Sequence, residues 1–298
     1  MKAVVTGGTG FVGAHVVKLL AERGNDVKVV YRNPDRLAAL TGIDFSRAKA
    51  DVLDFKALRR AVKGAEVLFH TAGYVGSSPA ERVWRINAQA PVVAVEAAAA
   101  EGLKRVVVTS TISAVGTPDN GKPADETTEY PENWMGLAYP DSKHEGEVAA
   151  LEAGERYILG GQNMTWPELI DCVASLADVH FPVLVLPPEI AAVARVREAL
   201  GIPGPISAEA TNLMGKDWRF TSEKAKREFG YRPRPIEETL METIVWYGEL
   251  IDAGVFDDAT GSPLATIASG MQTARRVGLL QPVRVAQRVI GRRVVAGV

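Results

Sequence analysis

Short apolar runs and helix-spaced segments alternate along the first half of the chain. Ala3-Val4-Val5 reads as a buried strand. Phe11 to Arg23 follows, with Phe11, Val12, Val16, Leu19 and Leu20 at helical spacing, and it stops at Gly24, a residue suited to a left-handed cap. Asp26 to Tyr31 predicts a second strand, Lys49-Ala50-Asp51-Val52 the end of a third, and Glu66 to His70 a fourth. Val83 to Ala100 is helical in pattern, and Arg105 to Thr109 is a fifth strand. This alternation specifies an α/β fold with a doubly wound parallel sheet. The stretch 116–134, rich in Pro, Gly, Asn and acids, is a loop over one edge.

The second half changes character. His144 to Glu155 fits one helix with Val148 and Leu151 on its inner side. Thr165-Trp166-Pro167-Glu168 is a capping box that opens a helix through Ala177. Phe181 to Leu186 is strand-like, Glu189 to Leu200 is helical, and Ser222–Phe229 and Ile236–Ala253 make two further helices. Trp218, Phe220 and Trp246 read as core. The pattern divides the chain into 1–161, an alternating strand–helix domain, 162–256, a smaller and mostly helical region, and 257–298, a basic tail.

Chemistry enters first in Thr6-Gly7-Gly8-Thr9-Gly10-Phe11-Val12-Gly13, between the first strand and the first helix. Gly7, Gly10 and Gly13 let the backbone turn sharply and approach a pyrophosphate, while Phe11 and Val12 open the helix. The helix N-terminus offers N–H groups and a positive dipole end to that pyrophosphate. A second motif, Tyr139-Pro140-Asp141-Ser142-Lys143, places a phenol and an ammonium one turn apart on a helix face. Pro140 and Asp141 suit its first turn. A cation beside a phenol favours phenolate and makes Tyr139 usable as an acid/base near neutral pH.

Cofactor choice is read at the end of the second strand. NAD enzymes usually carry an acid there for the ribose hydroxyls, whereas an arginine accommodates a ribose phosphate. This chain has Tyr31-Arg32-Asn33-Pro34, with Asp35 displaced beyond the proline and Arg36 close by. Arg32 therefore favours NADP over NAD.

Together the two motifs resemble the extended short-chain dehydrogenase/reductases, a group that includes sugar-nucleotide epimerases, dihydroflavonol reductases and hydroxysteroid dehydrogenases. The resemblance runs from Met1 to about Lys143 and resumes from Glu155 to about Gly254. It implies a Rossmann domain and reversible hydride transfer between nicotinamide and a small carbonyl or secondary alcohol. It also implies that Asp51 and Val52 flank the adenine, that Thr71, Ala72 and Gly73 pass beneath ribose and pyrophosphate, and that Thr109 lines the cofactor. In that resemblance Thr111 orients the substrate oxygen, with Ser110 as the fallback. Tyr139 moves the proton, and Lys143 binds the nicotinamide ribose and tunes Tyr139. Asn87 matches a family asparagine near the active site, for which an interior hydrogen-bonding role stands equally, and His70 reads as structural.

Ile112 and Ser113 replace the Asp-Glu pair of the sugar-nucleotide dehydratases and cannot act as acid and base, which disfavours dehydration. The loop Pro123 to Thr128 and Ser142 to Glu145 lean toward dihydroflavonol reductases and hopanoid-associated epimerases, so an epimerase stands as the alternative. Only His144 to Glu155 separates Lys143 from Arg156-Tyr157-Ile158-Leu159-Gly160-Gly161. The family has a sixth strand and a long substrate loop between these points. The resemblance thus implies an internal deletion that threatens turnover and leaves a dinucleotide-binding redox sensor as a further alternative. A crossover of this length fits one helix, so 157–160 is expected to pair in parallel with Arg105–Thr109 as a replacement strand.

Composition changes this picture little. The chain has 298 residues and a net charge of -2, which gives no sign of a nucleic-acid surface. Its single Cys172 excludes an internal disulfide, falls on an apolar helical stripe and is expected to be buried. No signal peptide and no bilayer-length apolar run are read, so a cytoplasmic location is expected. No metal ligand set is assigned, and a homodimer is left open. From Ala259 to Val298 there are six arginines and no acid, with Arg284, Arg288 and Arg292 at helical spacing. A mobile tail is favoured there over an interfacial helix on anionic lipid.

Overall fold

The computed structural model describes residues 1–76, 79–117, 121–131, 137–151, 154–177, 183–184, 196, 216–252 and 295–296. It divides into two compact units, Met1–Ile158 and Leu159–Val298. In the first, β1 (Lys2–Thr6), β2 (Asp26–Tyr31), β3 (Ser46–Lys49), β4 (Val67–His70) and β5 (Arg105–Val108) form one sheet. Their order is β3-β2-β1-β4-β5, and every neighbouring pair is parallel. The helices are α1 (Phe11–Glu22), α2 (Phe55–Val62), α3 (Ala80–Trp84), α4 (Ala90–Ala100) and α5 (Ala138–Ala150). This is the doubly wound Rossmann architecture, and the order reverses beside β1, where such sheets open a ligand crevice.

The central strands are apolar in unbroken runs because both sheet faces are covered. Val4, Val30 and Leu68 pack with Leu58, Ala61 and Val62 of α2 and Ala94, Ala97 and Ala98 of α4. Burial of each large aliphatic side chain contributes roughly 1.5–3 kcal/mol. In α1 the buried residues are Gly13, Ala14, Val17 and Leu20, whereas Phe11, Val12 and Leu19 are exposed. The stripe read from the sequence is thus offset: small residues meet the sheet, since large ones would hold the helix off. The third strand ends at Lys49, before the expected Ala50 to Val52.

Between α3 and α4 the helix widens into a π turn over Arg85–Gln89. Pro91 has no N–H for the Asn87 carbonyl, and its ring crowds that carbonyl in a regular helix; the wide turn relieves both faults. Gly146 of α5 sits against the same carbonyl, and a Cβ there would collide with the Asn87 oxygen.

The expected sixth strand is not formed. Residues 157–160 carry no strand, and β5 pairs only with β4 among the described residues, leaving Val107 40% exposed. The segment is held elsewhere: the Ile158 amide donates to Glu126 Oε1 at 2.7 Å, and Arg156 Nε lies 2.5 Å from Glu147 Oε1. Val148 is exposed rather than inward, because the inner face of α5 carries Ser142, Lys143, Gly146 and Glu147.

The second unit contains α6 (Trp166–Leu176), β6 (Val183–Leu184), α7 (Glu223–Phe229), α8 (Ile236–Asp252) and β7 (Val295–Ala296), with β6 antiparallel to β7. The capping box is present: Thr165 Oγ1 accepts from the Glu168 amide, and Glu168 Oε2 accepts from the Thr165 amide. Cys172 is half-buried rather than buried, because α6 keeps no fully buried residue. Phe220 is buried, Trp218 and Trp246 half-buried. The expected helix 189–200, the tail helix and most of strand 181–186 lie outside the described residues. Among the described residues no helix is long and apolar enough to cross a membrane.

Candidate cofactor and catalytic site

The turn after β1 packs against the chain leaving β4. Gly7 has φ 70°, and a Cβ there would lie 2.5 Å from the Ala72 amide nitrogen. A Cβ on Gly13 would collide with the Gly7 carbonyl and stand 2.6 Å from Thr71 Oγ1. Only glycine fits at either position. Gly10 is exposed and begins α1, whose first turn has no side-chain cap. This uncapped helix N-terminus in a glycine turn fits a pyrophosphate. The Thr71 amide and hydroxyl both donate to the Thr6 carbonyl, at 3.1 and 2.7 Å, fixing the floor of the crevice.

Arg32 is exposed directly after β2, and no acid stands at the strand end. Asn33 Oδ1 instead accepts from the Asp35 amide at 3.0 Å, capping the 3-10 helix Pro34–Leu40 and committing Asp35 to its first turn. The Ala50 amide donates to the Tyr31 carbonyl, so Arg32 and Asp51 leave adjacent strand ends. Asp51 Oδ1 accepts from the Leu53 amide at 2.9 Å, and Val52 is half-buried.

Beyond β5, the Thr111 side chain caps a 3-10 turn, Ile112–Ala114, with its hydroxyl 3.1 Å from Ser113 Oγ and near enough to the Tyr139 phenol to act on it. Tyr139 and Lys143 lie one turn apart in α5. Lys143 is buried, its Nζ donates to the Thr109 carbonyl at 3.2 Å, and it lies 3.1 Å from where a Gly73 Cβ would stand. Burial raises the Tyr139 phenol, and the Thr111 contact pulls it down less strongly. The expectation that Lys143 lowers Tyr139 is therefore not met in this geometry, since the ammonium turns to Thr109. Burial also pushes Lys143 down, while Glu147 supports its charge.

Asn87 is 1% exposed and holds the chain after β4: its Oδ1 accepts from the Tyr74 amide at 2.9 Å, and its Nδ2 donates to the Tyr74 carbonyl at 3.0 Å. His70 is buried with Nδ1 2.9 Å from Thr6 Oγ1. Burial first and the Lys143 charge second depress it to about 3, so it is neutral at any working pH.

Several supporting residues escape a reading by motif. Ser142 Oγ donates to the Tyr139 carbonyl at 3.0 Å and neighbours Asn87. The Tyr130 ring stacks on His144, with centroids 4.0 Å apart, and its hydroxyl donates to Asp141. Glu147 continues the Tyr139–Lys143 face by another turn, a four-residue spacing visible in the sequence.

The crevice thus gathers the glycine turn, Thr71–Gly73, Thr109, Thr111, Tyr139 and Lys143 at the carboxyl ends of β1, β4 and β5, with Arg32 and Asp51 at the ends of β2 and β3. Known proteins share this frame. A putative dihydroflavonol 4-reductase from Synechocystis sp. is 32% identical over 154 residues, covering 51% of this chain and 45% of that protein. The chain spans less than half the length of the first curated relatives that it matches. The crystal structure of gox2253 superposes with a TM-score of 0.68 at 26% identity, over 83% of this chain and 98% of that one. A dTDP-glucose 4,6-dehydratase from Streptomyces venezuelae, solved with NAD bound, has the same fold, with a TM-score of 0.58 at 21% identity over 86% and 99% of the chains. Residues 4–167 match the 3-beta hydroxysteroid dehydrogenase/isomerase family. That match takes in more than half of the chain, and with the parallel sheet it makes this protein a member of that family, within the extended short-chain dehydrogenase/reductases.

Proposed function

We propose that the protein is an NADP-dependent oxidoreductase that interconverts a small carbonyl and a secondary alcohol. The observation that carries this reading is the grouping of Thr111 with Tyr139, and of Lys143 one turn along α5 with its Nζ on the Thr109 carbonyl. NADP, when bound, supplies or takes up the hydride. Thr111 donates to the substrate oxygen and orients it, and Tyr139 passes that oxygen a proton or receives one. Lys143, buried against Thr109, holds the ribose end of the crevice with Gly73. Gly7, Gly10, Phe11, Val12 and Gly13 form the pyrophosphate cradle, Asp51 and Val52 border the adenine, and Arg32 meets the ribose phosphate as a charge-assisted donor. Residues up to 161 form the cofactor domain and 162–256 the substrate region.

A second reading follows from segment 157–160, which forms no strand. Among the described residues no second strand lies beside β5, so the crevice lacks a wall there, which favours a dinucleotide-binding redox sensor with little turnover. Tyr139→Phe separates the two. A reductase loses activity on aldehydes and ketones by about 100-fold or more while NADPH binding is kept. A sensor binds NADPH equally in both forms and oxidises it in neither.

A further inference from the structure

Tyr139, Lys143 and Glu147 occupy three successive turns on one face of α5. Lys143 and Glu147 are both buried, at 9% and 7% exposure. An ammonium and a carboxylate four residues apart on a helix can pair directly. Here they do not: Lys143 Nζ donates to the Thr109 carbonyl, and the Glu147 carboxylate is engaged by Arg156 at 2.5 Å. Arg156 comes from the segment that leaves α5, and the Ile158–Glu126 hydrogen bond fixes that segment two residues later. Both side chains of the ion pair are shielded, at 19% and 8% exposure, so the carboxylate needs a cation partner wherever it turns.

We propose that Arg156 is a positioning residue: by occupying Glu147 it keeps Lys143 turned toward Thr109 and Gly73, where the proposed cofactor ribose lies. The inference rests on the dinucleotide reading of that crevice. Without Arg156 the nearest cation for the buried carboxylate is Lys143, which then turns along the helix and leaves the crevice. Arg156 thus acts through Lys143 and touches neither cofactor nor substrate. The segment that replaces the expected sixth strand thereby serves the site from the far end of α5.

The test is NADPH affinity, titrated by nucleotide fluorescence on the full chain well below each variant's Tm. Arg156→Gln is expected to weaken NADPH about tenfold, and Glu147→Gln/Arg156→Gln to recover most of that loss, because the competing carboxylate is gone. Arg156→Lys, which keeps the charge, is expected to stay within about threefold of the parent, and Glu147→Gln within about twofold. Parental affinity in Arg156→Gln overturns the proposal, and so does a double variant as weak as the single one. A purely structural clasp would lower Tm in Arg156→Gln and leave Kd unchanged. If Arg156→Gln does not fold, Glu147→Gln/Arg156→Gln and Arg156→Lys decide, and a tenfold loss in both overturns the proposal. A parent chain that binds neither NADPH nor NADH removes the crevice reading itself and this inference with it.

Discussion

At the residue scale, side chains in the crevice are set by burial more than by charge. His70 shows this most clearly. Its folded-state value of about 3 lies below its ordinary value of 6.5, so the unfolded chain binds the extra proton between those limits. Stability contributed by neutral His70 is complete above about pH 6.5 and falls as pH drops toward 3. The loss at pH 5 is on the order of 2 kcal/mol. Denaturant unfolding from pH 7 to 4.5 should show this decline, and His70→Asn, which keeps a polar group opposite Thr6, should flatten it. An unchanged slope in the variant assigns the decline to other groups. Arg32 makes a separate claim. Arg32→Asp should weaken NADPH far more than NADH, because a repelling charge replaces a phosphate partner. Equal losses for the two cofactors, measured by titration, would remove the case for NADP.

At the element scale, the crevice depends on how closely α5 approaches the π turn. Gly146→Ala places a methyl against the Asn87 carbonyl, which cannot move without disturbing the amide that holds Tyr74. A destabilisation of about 1–3 kcal/mol is expected, with weakened NADPH binding, because Lys143 shifts with the helix. Thermal unfolding and titration of this variant check both parts. This contact was not legible in the sequence. Pro91 marks a disturbed helix, yet only the fold shows its displaced carbonyl meeting a glycine 55 positions away from Pro91 along the chain. The strands of the sheet and the glycine turn were legible, because apolar runs and a strand-glycine-helix succession are local signals. The inner face of α1 was misread because Gly13 and Ala14 carry no hydrophobic weight in a periodicity, although they set the helix-to-sheet distance. Residues 157–160 were misread because a crossover length cannot foresee the polar partners, Glu147 at Arg156 and Glu126 at Ile158, that hold the segment elsewhere.

At the scale of the whole molecule, the first unit carries the proposed dinucleotide crevice on an open sheet that ends at β5 among the described residues. The proposed redox chemistry at Tyr139 rests on the family, the parallel sheet and the placement of Thr111, Tyr139 and Lys143. The most direct test follows the hydride itself. NADPH deuterated at the transferable position of its nicotinamide is incubated with the protein and a panel of aldehydes and ketones, and the products are read by mass spectrometry. The account predicts deuterium at the carbinol carbon of at least one product with the parent chain, and none above background with Tyr139→Phe. NADPH bound without transfer to any carbonyl, or equal transfer by Tyr139→Phe, would contradict it.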